Sequence, residues 1–201
     1  MLRWIIAVLI VITLIVSCGG PAKKVPGQMT SIGTSGDRPN WLNDSKDFWK
    51  DGQTFYFRSS VSNQFDLAQG KRNAKAEVVK QVAEMVKQRV RTDYYNSVKG
   101  SNIDENTLGR DVADLVAWTT DNLELSGLTP DEVFWEKFEK YDYDRLNYVY
   151  EITVVYSLLE SKYLEAVRRS VSTMEEQARQ QNNKAAEERA KKFSKFLYNE
   201  D

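Results

Sequence analysis

The side chains that most often perform chemistry are scarce in this chain of 201 residues: there is no histidine and one cysteine, Cys18. Triads of the Ser-His-Asp or Cys-His kind and His-ligated metal sites are therefore excluded. A single cysteine also excludes an internal disulfide or a CxxC site. Catalysis would have to come from carboxylates, hydroxyls, tyrosine or lysine. Two carboxylate pairs have usable spacing: Asp142 and Asp144 flank Tyr143, and Asp111 stands one helical turn before Asp114. Such pairs can act as acid and base or hold calcium. However, 29 acidic residues make pairs common by chance, and neither pair leads into a glycine-bearing calcium loop. Gly70-Lys71-Arg72 lacks the GxxxxGK[ST] frame that cradles phosphates. No catalytic residue, metal ligand or cofactor is expected.

The remaining candidates bind. Trp135, Tyr148 and Tyr150, with Phe134, Phe138 and Tyr156, lie in aromatic segments. They either form a cleft for a glycan or peptide or cover a sheet against a helix. Phe193, Phe196 and Leu197 end a polar helix, and must be covered by the same domain, a neighbouring copy or another protein. Trp135, Tyr148, Tyr150, Phe193, Phe196 and Leu197 are the expected partner or oligomer interface. With 28 basic against 29 acidic residues the net charge is −1, which argues against a dedicated nucleic-acid binder.

Cys18 has a context of its own. Arg3 and the free amine make a short positive region, and Trp4 to Val16 is apolar apart from Thr13. This run has the length of a secretory signal and falls short of the roughly 20 residues of a bilayer span. It ends in Ile15-Val16-Ser17-Cys18-Gly19, which resembles the bacterial lipobox. The resemblance implies cleavage before Cys18 and acylation of its thiol and new amine; three acyl chains hold a protein to a membrane in effect permanently. Gly19, in place of Asp, implies sorting to the outer membrane with the domain facing the periplasm. Loss of residues 1–17 removes Arg3 and leaves 27 basic against 29 acidic residues.

The segments that must position these residues can be read from periodicity. Residues 18–37, rich in Gly, Pro, Ser and Thr, read as a flexible tether. Trp41 and Leu42 open the ordered part, a domain over 38–174. Gln53–Ser62 alternates as a strand after the Asp51-Gly52 turn. From Asp66 to about Thr92 the spacing of Ala74, Val78, Val82, Val86 and Val90 is helical. Asn102 and Glu105 are spaced as a capping box for a second helix to about Asn122. Thr129-Pro130-Asp131-Glu132 carries helix-start residues, yet the aromatic run Val133–Tyr141 reads as a strand. Leu146–Leu158 alternates cleanly and is expected to pair antiparallel with it. Ser157 and Glu160 form another capping box, and helical spacing continues to Tyr198, with 175–201 as an extension. A forty-residue helix would be about 60 Å long, more than a small domain is wide. The expected fold is α+β: a small antiparallel sheet in β-α-α-β-β order against a long amphipathic helix, with an extended C-terminal helix.

Several of these segments together carry a family texture: Arg38-Pro39-Asn40-Trp41-Leu42, the strand Gly52-Gln53-Thr54-Phe55-Tyr56-Phe57, the Ala- and base-rich helix around Ala68–Glu77, Leu125-Ser126-Gly127-Leu128, and Tyr148-Val149-Tyr150-Glu151-Ile152. In this order, over roughly residues 38–172, the chain resembles the Lpp-twenty-type bacterial outer-membrane lipoproteins, a family with FlgP-like and FlgT-like flagellar relatives. The resemblance implies a helix-on-sheet domain, a lipid anchor, no enzymatic activity, and, for flagellar members, assembly into rings or disks. Two departures stand out: Arg58-Ser59-Ser60 where relatives commonly keep glycine, and the length of the tail. The expected role is structural or in assembly, with self-association through sheet edges and the C-terminal helix and with possible flagellar or peptidoglycan-associated partners. The alternative is a binding module for peptidoglycan or an accessory activator of an envelope enzyme.

Overall fold

The computed structural model describes residues 25–99, 104–110, 112–113, 126–143 and 145–199. Its elements run β1 (Met29–Thr34), a 3-10 turn (Asn40–Asn43), β2 (Phe48–Asp51), β3 (Thr54–Gln64), α1 (Leu67–Val98), β4 (Thr129–Asp142), β5 (Arg145–Leu159), α2 (Glu160–Gln180) and α3 (Lys184–Asn199). A short helical stretch lies at 105–110. The five strands form one antiparallel sheet in the order β1-β4-β5-β3-β2. The fold is α+β, with the helices packed on the sheet.

Alternation decides which side each strand buries. Phe57 stands opposite Tyr156, Phe55 opposite Leu158 and Val61 opposite Ile152. Their side chains share the helix-facing side of the sheet, where Phe57, Ile152, Val154 and Leu158 are sealed from solvent. On the other side Arg58 stands opposite Val155 and Tyr56 opposite Ser157. That side is strapped by the chain between β1 and β2. Arg38 pairs with Glu136 at 3.3 Å, the Trp41 indole N–H donates to Glu132, and Arg58 donates to the Trp41 carbonyl at 2.9 Å and to Asp47 at 3.1 Å.

α1 begins where Asp66 accepts a hydrogen bond from the Gln69 N–H at 2.6 Å, an N-cap that satisfies one of the orphan donors of the first turn. Ala74, Val78, Val82, Val86, Val90 and Tyr94 recur every fourth residue and all are completely buried. Four residues advance a helix by about 40° beyond a full turn, so between Ala74 and Val98 this line winds by about 240°. It stays buried because the partner changes along the way. Near its start Gly70 abuts Ile152 of β5, and Gln81 donates to the Arg58 carbonyl of β3. Further on, Tyr163 of α2 donates to the Met85 carbonyl at 3.4 Å, and Tyr94 meets Phe193 of α3. For the same reason α1 outruns Thr92: Tyr94 and Val98 continue the line and are buried.

The structure corrects four expectations. The stretch 18–37 is not tether throughout, because residues 29–34 form β1, an edge strand paired with β4 from Met29↔Lys140 to Thr34↔Glu136. The sheet therefore has five strands where three were expected, β2 being the other addition. The long C-terminal helix is broken at Gln181–Asn183. Asn182 takes φ +53°, the Asn183 N–H closes on the Ala178 carbonyl at 3.0 Å, and Asn183 caps α3 through the Ala186 N–H at 3.1 Å. Asparagine tolerates the left-handed conformation that ends a helix in this way. Finally, Ser157 does not cap α2. It belongs to β5, and the Glu160 N–H donates instead to the Gln53 carbonyl at 2.8 Å.

Candidate functional site

The β4–β5 hairpin assembles the aromatic half of the expected interface. Trp135 stands opposite Ile152, Lys137 opposite Tyr150 and Glu139 opposite Tyr148, so Trp135, Lys137, Tyr148 and Tyr150 share one face. The Trp135 and Tyr150 rings meet edge to face, with centroids 5.9 Å apart and planes at 73°. The Lys137 ammonium lies 4.9 Å from the Tyr148 ring centroid and 5.7 Å from that of Tyr150, a cation–π arrangement. Tyr148 is 46% exposed and Val133 39% exposed, while Trp135 and Tyr150 are half-buried. α1 lies over β3 and β5, and this patch lies towards β4. Chemically it offers flat π surfaces with the Lys137 cation held against them and Glu139 on the same face by register, suited to docking an apolar or aromatic group.

The other half of the expected interface is not a surface. Phe193 is fully buried and packs edge to face on Tyr94, with centroids 5.4 Å apart and planes at 82°. Leu197 is buried beside it, and Phe196 packs against the same core. The break at 181–183 turns α3 back along α2, so the apolar stripe meets α1 of its own domain. Phe193 and Leu197 are thus core residues, Phe196 is half-buried against them, and the stripe does not sit on a projecting tail.

Other polar features are accounted for locally. Arg58, almost fully buried, spends its guanidinium on the Trp41 carbonyl and Asp47. It lies beside a cavity of about 250 Å³ that Arg38, Ser60, Glu151 and Thr153 also line. Sequence reasoning noted the Arg58-Ser59-Ser60 departure and missed this role, which needed the strap to be known. Asp93 is a buried carboxylate inside α1, ion-paired one turn back with Arg89; the i,i+4 spacing was the available signal. Nearby, burial pushes the Tyr163 phenol up to about 12. An open groove of about 620 Å³ runs between β2 and α1, floored by Phe48, Phe57 and Met85. Of the carboxylate pairs, Asp142 is exposed at the hairpin turn, while Asp144, Asp111 and Asp114 lie outside the described residues, as does Cys18. Among the described residues no three His, Cys, Asp or Glu side chains gather as metal ligands, and no helix is long and apolar enough to cross a membrane.

No family model, no curated protein and no solved structure matches this chain. Its functional reading therefore rests on residues and geometry.

Proposed function

We propose that the chain is a lipid-anchored, periplasm-facing protein of the bacterial outer membrane that works by docking in a structural or assembly role, within an envelope or flagellum-associated scaffold. The observation that carries this reading is the Trp135–Tyr150–Tyr148 face with Lys137 set against its rings. Tryptophan and tyrosine are enriched among the anchors of binding surfaces, and this group sets an exposed Tyr148 beside the half-buried Trp135 and Tyr150. The lipobox-like Ile15-Val16-Ser17-Cys18 supplies the anchor.

The test has two arms in cells of the source type. Metabolic labelling with a palmitate analogue followed by density-gradient separation should place the labelled protein in the outer-membrane fraction, and Cys18→Ser should abolish the label. A photo-crosslinking residue at Tyr148 should capture a partner or a second copy, and the same residue at Gln53, on a remote turn, should not. An unlabelled protein, or equal capture at both positions, refutes the reading.

A second reading is favoured by the same flat rings, which suit stacking on sugar faces: a module that binds peptidoglycan. Co-sedimentation with purified sacculi, lost in Trp135→Ser and Tyr148→Ser, would support it.

A further inference from the structure

The exposed apolar side chains are not scattered. Of the eleven large ones among the described residues, five gather at one end of the sheet: Val25 (61% exposed), Phe65 (75%), Tyr143 (82%), Leu146 (41%) and Tyr148 (46%). The register places them together. Asp142 pairs with Arg145 across the β4–β5 turn that carries Tyr143. Gln64, just before Phe65, stands opposite Tyr150, and Met29 stands opposite Lys140. The Lys140 ammonium reaches Asn63 at the β3–α1 corner at 2.9 Å. The chain from the N-terminus arrives at this same tip, where the Gly27 N–H donates to the Tyr141 carbonyl at 2.7 Å.

We infer that this tip is a membrane-contact surface, seating Phe65, Tyr143 and Leu146 in the interfacial zone of the bilayer that holds the lipid anchor. The inference rests on the reading of Cys18 as acylated. Reach decides the occupant. From Cys18 to Val25 there are seven residue steps, which span at most about 25 Å even fully extended. The sheet is longer: β5 alone, at 15 residues, extends about 50 Å. The tip next to the tether therefore lies within reach of the headgroups, and the far end, at the β2–β3 turn, does not when the domain stands on the tip. Aromatic and aliphatic side chains beside isolated charges suit the headgroup boundary, where amphipathic rings settle. Lys140 is already engaged by Asn63, and Asp66 caps α1. Asp142 faces Arg145 across the turn. By sequence the tip sets Lys140 and Arg145 against Asp66, Asp142 and Asp144, so it carries no net positive charge and its contact does not depend on attraction to anionic headgroups, unlike a polybasic one.

The mature lipidated protein provides its own test. Acylation consumes the only cysteine, so Tyr143→Cys or Gln53→Cys supplies the single free thiol for a fluorophore. The labelled proteins are reconstituted into vesicles of phosphatidylethanolamine and phosphatidylglycerol and exposed to a lipid-borne nitroxide or to aqueous iodide. The label at 143 should be quenched by the nitroxide and shielded from iodide, unchanged between low and high salt; the label at 53 should show the reverse. Phe65→Ser with Leu146→Ser should return the 143 label to iodide. Equal iodide access at both positions overturns the inference while leaving acylation intact, as does energy transfer between 143 labels that reports a contact between copies. Mass spectrometry of the mature N-terminus is the separate check on the anchor: an unmodified Cys18 overturns both readings.

Discussion

Gly70 offers the sharpest quantitative test of the packing between α1 and the sheet. A Cβ built there would lie 2.1 Å from Ile152 Cδ1 and 3.0 Å from Gln64 Cγ. Carbon atoms in contact prefer about 3.5–4.0 Å, so Gly70→Ala must drive the Ile152 methyl back by about 1.5 Å. Ile152 is completely buried, so that methyl can only rotate into packed neighbours, and overpacking of this kind costs about 1–3 kcal/mol. Helix propensity pulls the other way, since alanine is favoured over glycine in a helix by about 1 kcal/mol. Because the methyl must move so far, the clash belongs at the upper end of the overpacking range, about 2–3 kcal/mol, and should win with a net loss of about 1–2 kcal/mol, read as a lower urea midpoint at unchanged m-value. Gly109 is the matched control: it is helical and exposed, with nothing within 4 Å of its added Cβ. Gly109→Ala should stabilise by up to about 1 kcal/mol. Ile152→Val removes the offending methyl. It should cost about 0.5–1.5 kcal/mol alone and much less in the Gly70→Ala background, a positive coupling in a double-mutant cycle. A Gly70→Ala variant as stable as the parent, or additive with Ile152→Val, would refute the close approach of α1 to β5.

Three further outcomes are expected. Phe193→Ala should lower stability by about 3–5 kcal/mol in chemical denaturation, whereas a freely projecting tail would show less than about 0.5 kcal/mol. Arg58→Met should loosen the strap by removing its hydrogen bonds to the Trp41 carbonyl and Asp47, at a cost of about 1–2 kcal/mol; faster tryptic cleavage after Lys46 is the readout, and an unchanged rate would count against the pin. Exposed Glu84 and the partly exposed Glu165 and Glu187 are held below the ordinary glutamate value of 4.5 by hydrogen bonds from Lys87, from Lys162 and Arg169, and from Lys191 respectively. A lowered carboxylate contributes stability above its unfolded value, and the contribution vanishes as pH falls through the folded one. The thermal midpoint should therefore decline slightly on acidification below 4.5; a midpoint rising there would contradict the pairing.

What the sequence discloses follows from how much each segment buries. β3 and β5 are central strands packed on one side, so their alternation is written plainly at Phe55, Phe57, Ile152 and Val154. The strand β4 was legible through its aromatics despite the helix-start residues at Thr129–Glu132, because burial in the sheet outweighs a local cap. β1 was not legible: Met29-Thr30-Ser31-Ile32-Gly33-Thr34 lies on an edge, mostly exposed, and backbone bonds to β4 hold it without any side-chain pattern. β2 has four residues, too few for a period. The break between α2 and α3 left only a polar trace, Gln181-Asn182-Asn183, whose meaning depends on one left-handed residue. The aromatic patch was visible as residue types, and its cation was not, since Lys137 joins Tyr148 and Tyr150 only through strand register. Phe193 and Leu197 show the converse: the stripe was legible, and the partner covering it depended on where the chain turned.

The winding line of α1 also bears on how the domain comes apart. Its first half packs on β3 and β5 and its last turns pack on α2 and α3, so one continuous helix joins the two ends of a single buried core. Opening the α2–α3 hairpin would strip Tyr94 and Val98 while leaving Val78 and Val82 against the sheet. Amide exchange should then report two cooperative units, with the boundary falling inside α1 near Met85, and the domain would melt from its C-terminal side inward.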